Sequence, residues 1–269
     1  MKKLFYLPLM IGAIAVAFTS CNGDDDNGPN GSTSVSLLIT SDLTPNDAPG
    51  VNRVLAEIWG PDEQPHVVAS APFNQLGFSL LLENTPQANI MLSLNRLFDW
   101  DITEIFTVSD TAVRVAAVWT LYGITSTSGD FLDEDFAGIF FRLATSGDGV
   151  TEYFATTEFF IYADRAVSIT GTDDGNGWRD EMSMNLAQGW NRVFETFAIV
   201  IEDDVEIEIY RKTTTPVTGM TWNFMPFDFD NGDHDHTSLP LMRVNAQENT
   251  AAARVIERAA ERRSNRNSR

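Results

Sequence analysis

Between Val35 and Phe227 the chain returns again and again to short runs of β-branched and aromatic residues, each cut off by Gly, Pro, Asn or Asp. The sharpest is Val205-Glu206-Ile207-Glu208-Ile209-Tyr210, in which carboxylates alternate with apolar groups. Successive side chains of an extended backbone point to opposite faces, so this pattern makes one wet face and one core face. Ala166 to Thr170 and Met182 to Leu186 alternate in the same way around a polar loop, Gly171 to Gly177. Further strands are predicted at Val35–Ile39, Val54–Trp59, Val67–Ala69, Phe78–Leu82, Ile102–Val108, Val113–Tyr122, Ile139–Leu143, Tyr153–Tyr162 and Trp190–Phe197. Many short strands separated by turn residues predict a mainly β body over 35–242, an antiparallel β-sandwich. It reads as one continuous sandwich or as two immunoglobulin-like lobes dividing near 123–130.

A hydrophobic content of 43% with 18 Phe gives such a body ample core. The formal net charge of -20 repels phosphate backbones and anionic lipid, so nucleic acid is excluded as a partner and neutral ligands or cations are favoured. The exception is the end of the chain. From Arg243 onward seven Arg stand against Glu248, Glu257 and Glu261. There Ala252, Val255, Ile256, Ala259 and Ala260 share one helical face beside a column of Arg254, Arg258 and Arg262, and Asn249 or Thr250 is placed to cap it. The segment 243–269 therefore reads as a basic tail, partly helical or fully solvated.

At the front, Lys2 and Lys3 precede an apolar stretch from Leu4 to Phe18 that is too short for a stable membrane span. Residues 1–20 have the form of a signal peptide. The single cysteine, Cys21, has no partner for an internal disulfide, and its place just after the small pair Thr19-Ser20 favours modification. The run Phe18-Thr19-Ser20-Cys21 resembles the lipobox of bacterial lipoproteins, with Phe18 where Leu is usual. Asn22-Gly23-Asp24-Asp25-Asp26 is similar to the acidic export signal of surface lipoproteins of the Bacteroidota. These resemblances imply a Cys21 that carries acyl chains such as palmitate and a protein held at the outer membrane or cell surface. Each buried methylene contributes about 0.8 kcal/mol, so several chains anchor a folded domain that itself stays in water. Residues 21–34, rich in Gly, Asn and Asp, then form an acidic flexible tether.

A second resemblance lies in the body. Tyr153 to Tyr162, Ala163-Asp164-Arg165, Val167 to Gly171, Met184-Asn185-Leu186 and Gly189-Trp190-Asn191 follow one another as in the C-terminal half of uncharacterised β-rich lipoproteins of the Bacteroidota. That likeness implies the fold and the location and carries no activity.

Among residues that could do chemistry, Asp228-Phe229-Asp230-Asn231-Gly232-Asp233-His234-Asp235-His236 is the densest stretch. Asp228, Asp230, Asp233 and Asp235 offer oxygen ligands to calcium, although the Gly comes one place early for an EF-hand loop and the distal Glu is missing. His234 and His236 with Asp233 or Asp235 offer a zinc or copper set instead. The plainer reading, an acidic surface turn that carries two histidines by chance, is preferred to both. Thr172 to Gly177 and the group Asp130, Asp133, Glu134 and Asp135 read as turns and solvated loops. Trp100 and Trp178 sit among Gly, Asn or acidic neighbours, where a ring stacks on a sugar or plugs the end of a sandwich. Asp99, Asp101 and Glu104 around Trp100 are the carboxylates to consider for glycoside hydrolysis, which needs two acids facing across a cleft. No Gly-x-Ser-x-Gly elbow, His-Glu-x-x-His or phosphate-binding glycine loop occurs, and His66 shows no sequence-evident partner. Taken together these features predict a lipid-anchored surface protein that binds a glycan or another protein. A structural or adhesin subunit and a secreted hydrolase are the alternatives.

Overall fold

In the computed structural model the described residues are 36–83, 85–126, 135–146, 152–202 and 205–227. They belong to the unit Thr33–Arg269. The proposed leader and tether with Cys21, the second half of the proposed division at 123–130, the Asp228 to His236 stretch and the basic tail lie outside them.

The strands are β1 (Leu37–Ser41), β2 (Arg53–Trp59), β3 (Pro65–Pro72), β4 (Phe78–Leu82), β5 (Leu92–Ser93), β6 (Thr107–Val108), β7 (Arg114–Val118) and β8 (Leu121–Ile124). They continue with β9 (Phe136–Ser146), β10 (Glu152–Ala163), β11 (Val167–Gly175), β12 (Trp178–Leu186), β13 (Gly189–Glu202), β14 (Val205–Thr213) and β15 (Thr221–Pro226). Two short helices, α1 (Leu94–Phe98) and α2 (Ile102–Ile105), fall between β5 and β6. β1 and β4 form a two-stranded sheet, and the other 13 strands form one large sheet. The mainly β, open sandwich-like architecture is the one the alternation predicts. All pairings are antiparallel except β12 with β14, which run parallel from Trp178↔Glu208 to Ser183↔Thr213.

The central layer of β7, β10 and β13 carries a core on each face. In β10, Phe160 and Tyr162 point into a first core with Ile39, Leu80, Phe78 and Phe140. Phe159, Ile161 and Ala163 point the other way, into a second core with Ile102, Val167, Ile169 and Met184. In β7, Ala116 and Val118 serve the first core, Val115 and Ala117 the second. This is why Phe159-Phe160-Ile161-Tyr162 and Val115 to Val118 are continuously apolar while β14 alternates: a strand buried on both faces has no wet side. Each fully buried Phe or Ile contributes about 1.5–3 kcal/mol, so this layer dominates the hydrophobic stabilisation.

Three expectations need correction. Ile102 to Val108 is mostly helix α2, and only Thr107 and Val108 remain as a strand. The Ser93 hydroxyl accepts from the Arg96 amide to start α1, and Asp99 ends it in the left-handed region at φ 59°. Val113 to Tyr122 is not one strand but two, β7 and β8, broken at Trp119-Thr120. The polar run Gly171 to Gly177 is no open loop either. Strand pairing continues out to Gly175↔Trp178, leaving a tight turn in which Gly177 takes φ 79°.

Gly189-Trp190-Asn191 has a plain structural role. Trp190 is buried in the first core edge-on to Tyr162, with centroids 5.5 Å apart. Asn191 Nδ2 donates to the Ala187 and Gly189 carbonyls, both at 2.8 Å, while Asn191 Oδ1 accepts from the Ala187 amide. The asparagine ties the β12–β13 turn to itself.

Candidate functional site

Where the large sheet branches, three strands part. β9 pairs with β8 from Phe136 to Phe140 and with β10 from Leu143 onward. β10 leaves β9 at Thr157 and takes up β7 at Phe160. Trp119-Thr120, Phe141-Arg142 and Glu158-Phe159 therefore surround a fork in the sheet. On the second-core side Trp119 stacks on Phe159, with centroids 4.5 Å apart. On the first-core side the fork is closed by charge.

Glu158 sits there with its side chain 1% exposed. It accepts from Arg142 Nη1 at 2.9 Å through one carboxylate oxygen and from Arg192 Nη1 through the other. Such a carboxylate is tolerable in a core only because both oxygens meet cations. Each guanidinium is held from its far side as well. Arg142 Nη2 donates to the Met220 carbonyl at 3.2 Å, and Arg192 Nη2 donates to the Leu38 carbonyl at 2.8 Å. Arg142 lies over the Trp222 ring at 5.9 Å and Arg192 over Phe160 at 5.7 Å. Trp222 is fixed in turn by its indole N–H, 2.8 Å from the Thr40 carbonyl, and by an edge contact with Phe78. Two pairs further along β10 and β13, on the same face, the Thr156 and Thr196 hydroxyls meet at 2.8 Å inside the protein.

Above this triad opens a cavity of about 420 Å³. Arg142, Glu158 and Arg192 form its charged floor, and Thr40, Phe194, Thr214, Pro216, Val217 and Trp222 form its walls. Small-ligand sites typically span about 300–1,000 Å³, and this open, mixed polar and apolar cavity falls within that range. The one carboxylate among the described lining residues is committed to two ion pairs. The chemistry offered is therefore recognition, by positively charged N–H donors beside an aromatic ring.

The residues singled out from sequence lie elsewhere. Trp100 is half-buried in the second core's margin, its ring edge-on to Phe106 at 5.3 Å. Trp178 opens β12 and lies across its own hairpin, so close to Gly175 that a Cβ there would come within 2.0 Å of the indole. Asp101 Oδ1 accepts from Asn95 Nδ2 and Thr103 Oγ1, both at 2.8 Å, and so joins α1 to α2. Asp174 accepts from Arg179 at 2.7 Å, and Arg179 also reaches Glu202. His66, whose partner was not evident in the sequence, lies in β3 with Nε2 3.2 Å from Asp62, a contact that holds the Asp62 carboxyl below its ordinary range. Among the described residues no three His, Cys, Asp or Glu side chains gather as a metal set, and no helix is long and apolar enough to cross a membrane.

Sequence reading passed over Glu158, Arg142 and Arg192. The available signal was Thr156-Thr157-Glu158, a polar interruption inside the apolar strand Tyr153 to Tyr162. A charge in a strand with two core faces demands opposite charge from neighbouring strands. Comparison with family models, with curated proteins and with solved structures finds no match to this chain.

Proposed function

We propose that the chain is a lipid-anchored binding protein of a bacterial outer membrane or cell surface, and that the cavity over Glu158 is its receptor site. Support for the address comes from the leader, the Phe18 to Cys21 run and the acidic residues after it. The single observation that carries the binding role is the cavity itself: about 420 Å³, with Trp222 on its wall and two guanidiniums fixed in its floor. Preorganised donors lose little freedom on binding, which is what a recognition site needs.

A glycan-array titration of the purified protein, read by intrinsic tryptophan fluorescence, tests the role. A saturable shift for one class, abolished in Trp222→Phe, is the expected result, and a flat response across the array rejects it. The address is tested separately by mass spectrometry of the mature N-terminus, where acylated Cys21 is expected and an unmodified thiol overturns the anchor.

The structural-subunit reading has one observation in its favour. Leu38 and Leu81 lie directly opposite each other in β1 and β4, 53% and 40% exposed, and so present an apolar pair outward. Crosslinking of intact cells that traps the protein in a stable complex through this face favours that reading over ligand capture.

A further inference from the structure

The charge on the cavity floor specifies the ligand. Two guanidiniums face one carboxylate, and no other charged side chain among the described residues lines the cavity, so its floor carries a formal +1 in a chain whose net charge is -20. Arg142 and Arg192 are 27% and 32% exposed, while the Glu158 that pairs them is sealed at 1%. Each guanidinium has five N–H donors. Those of Arg142 meet Glu158 and Met220, and those of Arg192 meet Glu158 and Leu38, one donor to each partner. Among the described residues three donors per arginine are left over. Arg142 Nε is sealed and unpartnered, and the remainder belong to terminal groups that border the cavity or, at Arg192 Nε, the same partly exposed head.

We propose that this site takes a carboxylate, and that the ligand is an acidic sugar of the uronate type. This rests on the binding role assigned above to the same cavity. A ligand carboxylate lying between the two guanidiniums brings the floor from +1 to neutral and meets donors in the planar fork geometry that favours carboxylates over neutral hydroxyls. The walls select a sugar to carry it. The half-buried Trp222, its ring carrying Arg142 at 5.9 Å, offers the remaining ring surface to the C–H face of a pyranose, the buried Phe194 backs the wall, and the Thr40 and Thr214 side chains supply small polar groups. The strongly acidic exterior repels free anions at long range, so the carboxylate is recognised at close quarters and only with the rest of the ring seated.

The test is calorimetric titration of the full mature protein with trigalacturonate and with galactotriose, which differ in the carboxylates. Binding of the uronate about tenfold or more tighter than the neutral sugar is expected, a difference equivalent to about 1.4 kcal/mol. Raising NaCl from low to high ionic strength weakens the uronate and leaves the neutral sugar unchanged. Arg192→Gln, which leaves Glu158 paired with Arg142, removes the preference. In Glu158→Gln, where both arginines lose their counter-charge, the uronate is held at least as tightly as in the parent. Equal affinity for the two sugars overturns the carboxylate assignment and leaves the cavity a binding site. Failure of both to bind, while another glycan of the array does, overturns it as well.

Discussion

The pairing of β10 with β13 sets the floor of the cavity, and the Thr156–Thr196 contact is where it can be tested most cleanly. The two residues face each other in register, 6% and 8% exposed, with hydroxyls 2.8 Å apart and no other side-chain partner among the described residues. Thr156→Val removes one hydroxyl and leaves the other buried and unsatisfied. Stranding a buried polar group costs about 1–3 kcal/mol, against roughly 0.8 kcal/mol gained from the added buried methyl. Each single variant is therefore expected to lose about 0.2–2 kcal/mol, centred near 1. The double variant strands nothing: it loses one hydrogen bond, worth about 1 kcal/mol net, and gains two buried methyls, so it should lie close to the parent. The expected coupling is thus about 2 kcal/mol in favour of the double variant. Urea denaturation followed by tryptophan fluorescence reads it, provided the slope with denaturant is the same in all four proteins. Additive losses, or single variants as stable as the parent, would refute the contact and with it the register that places Glu158 opposite Phe194.

Three further outcomes are expected. The Tyr122 hydroxyl, pushed up to about 12 by burial and by the Glu57 carboxylate, keeps its proton in the folded chain after it would ionise in the unfolded one near 10. Its stabilising contribution is therefore complete below pH 10 and is lost as pH rises toward 12, so Tyr122→Phe should remove one late step from the ultraviolet tyrosine titration and flatten the alkaline loss of stability. Gly138→Ala places a Cβ 2.2 Å from the Met225 carbonyl, which forces β15 off β9; a drop in Tm with loss of the Trp222-dependent fluorescence change is expected. For Asp228 to His236, a rise in Tm with millimolar calcium selects the oxygen-ligand reading, zinc or copper retained through purification selects the histidines, and neither effect leaves an acidic turn.

Strand content was legible because period two survives in a strand with one wet face: Phe78–Leu82 alternates buried and exposed as expected, and β14 forms where the alternation put it, although Val205 is itself exposed and burial begins only at Ile209. The errors have a common origin in context. Ile102 and Ile105 are β-branched and suggest a strand, yet Asp101 binds Asn95 and Thr103 and turns the chain into α2, a tertiary choice that propensity does not carry. Thr172-Asp173-Asp174 looks like a loop, but Arg179 across the hairpin neutralises Asp174 and lets the ladder run on. The break at Trp119-Thr120 is invisible locally because both halves of Val113 to Tyr122 are apolar; what divides them is the branching of the sheet, which exists only once β9 and β10 have paired.

The same reasoning explains why the cavity was hidden while its cause was in view. Composition shows many acids and few bases, so an acidic loop attracts notice and an arginine does not. Physically the scarcer charge is the more informative. In a strongly acidic chain most carboxylates have solvent for a partner, and an arginine placed mid-strand, as in Phe140-Phe141-Arg142-Leu143, is there to meet something inside. Arg142, Arg192 and the buried Glu158 lie on three adjacent strands and converge only through register: Phe160 pairs with Arg192 and Thr157 with Leu143, which brings Glu158 between the two arginines. Two cations around one buried anion leave the site short of a negative charge, and a ligand that brings one satisfies electrostatics that the fold by itself leaves open.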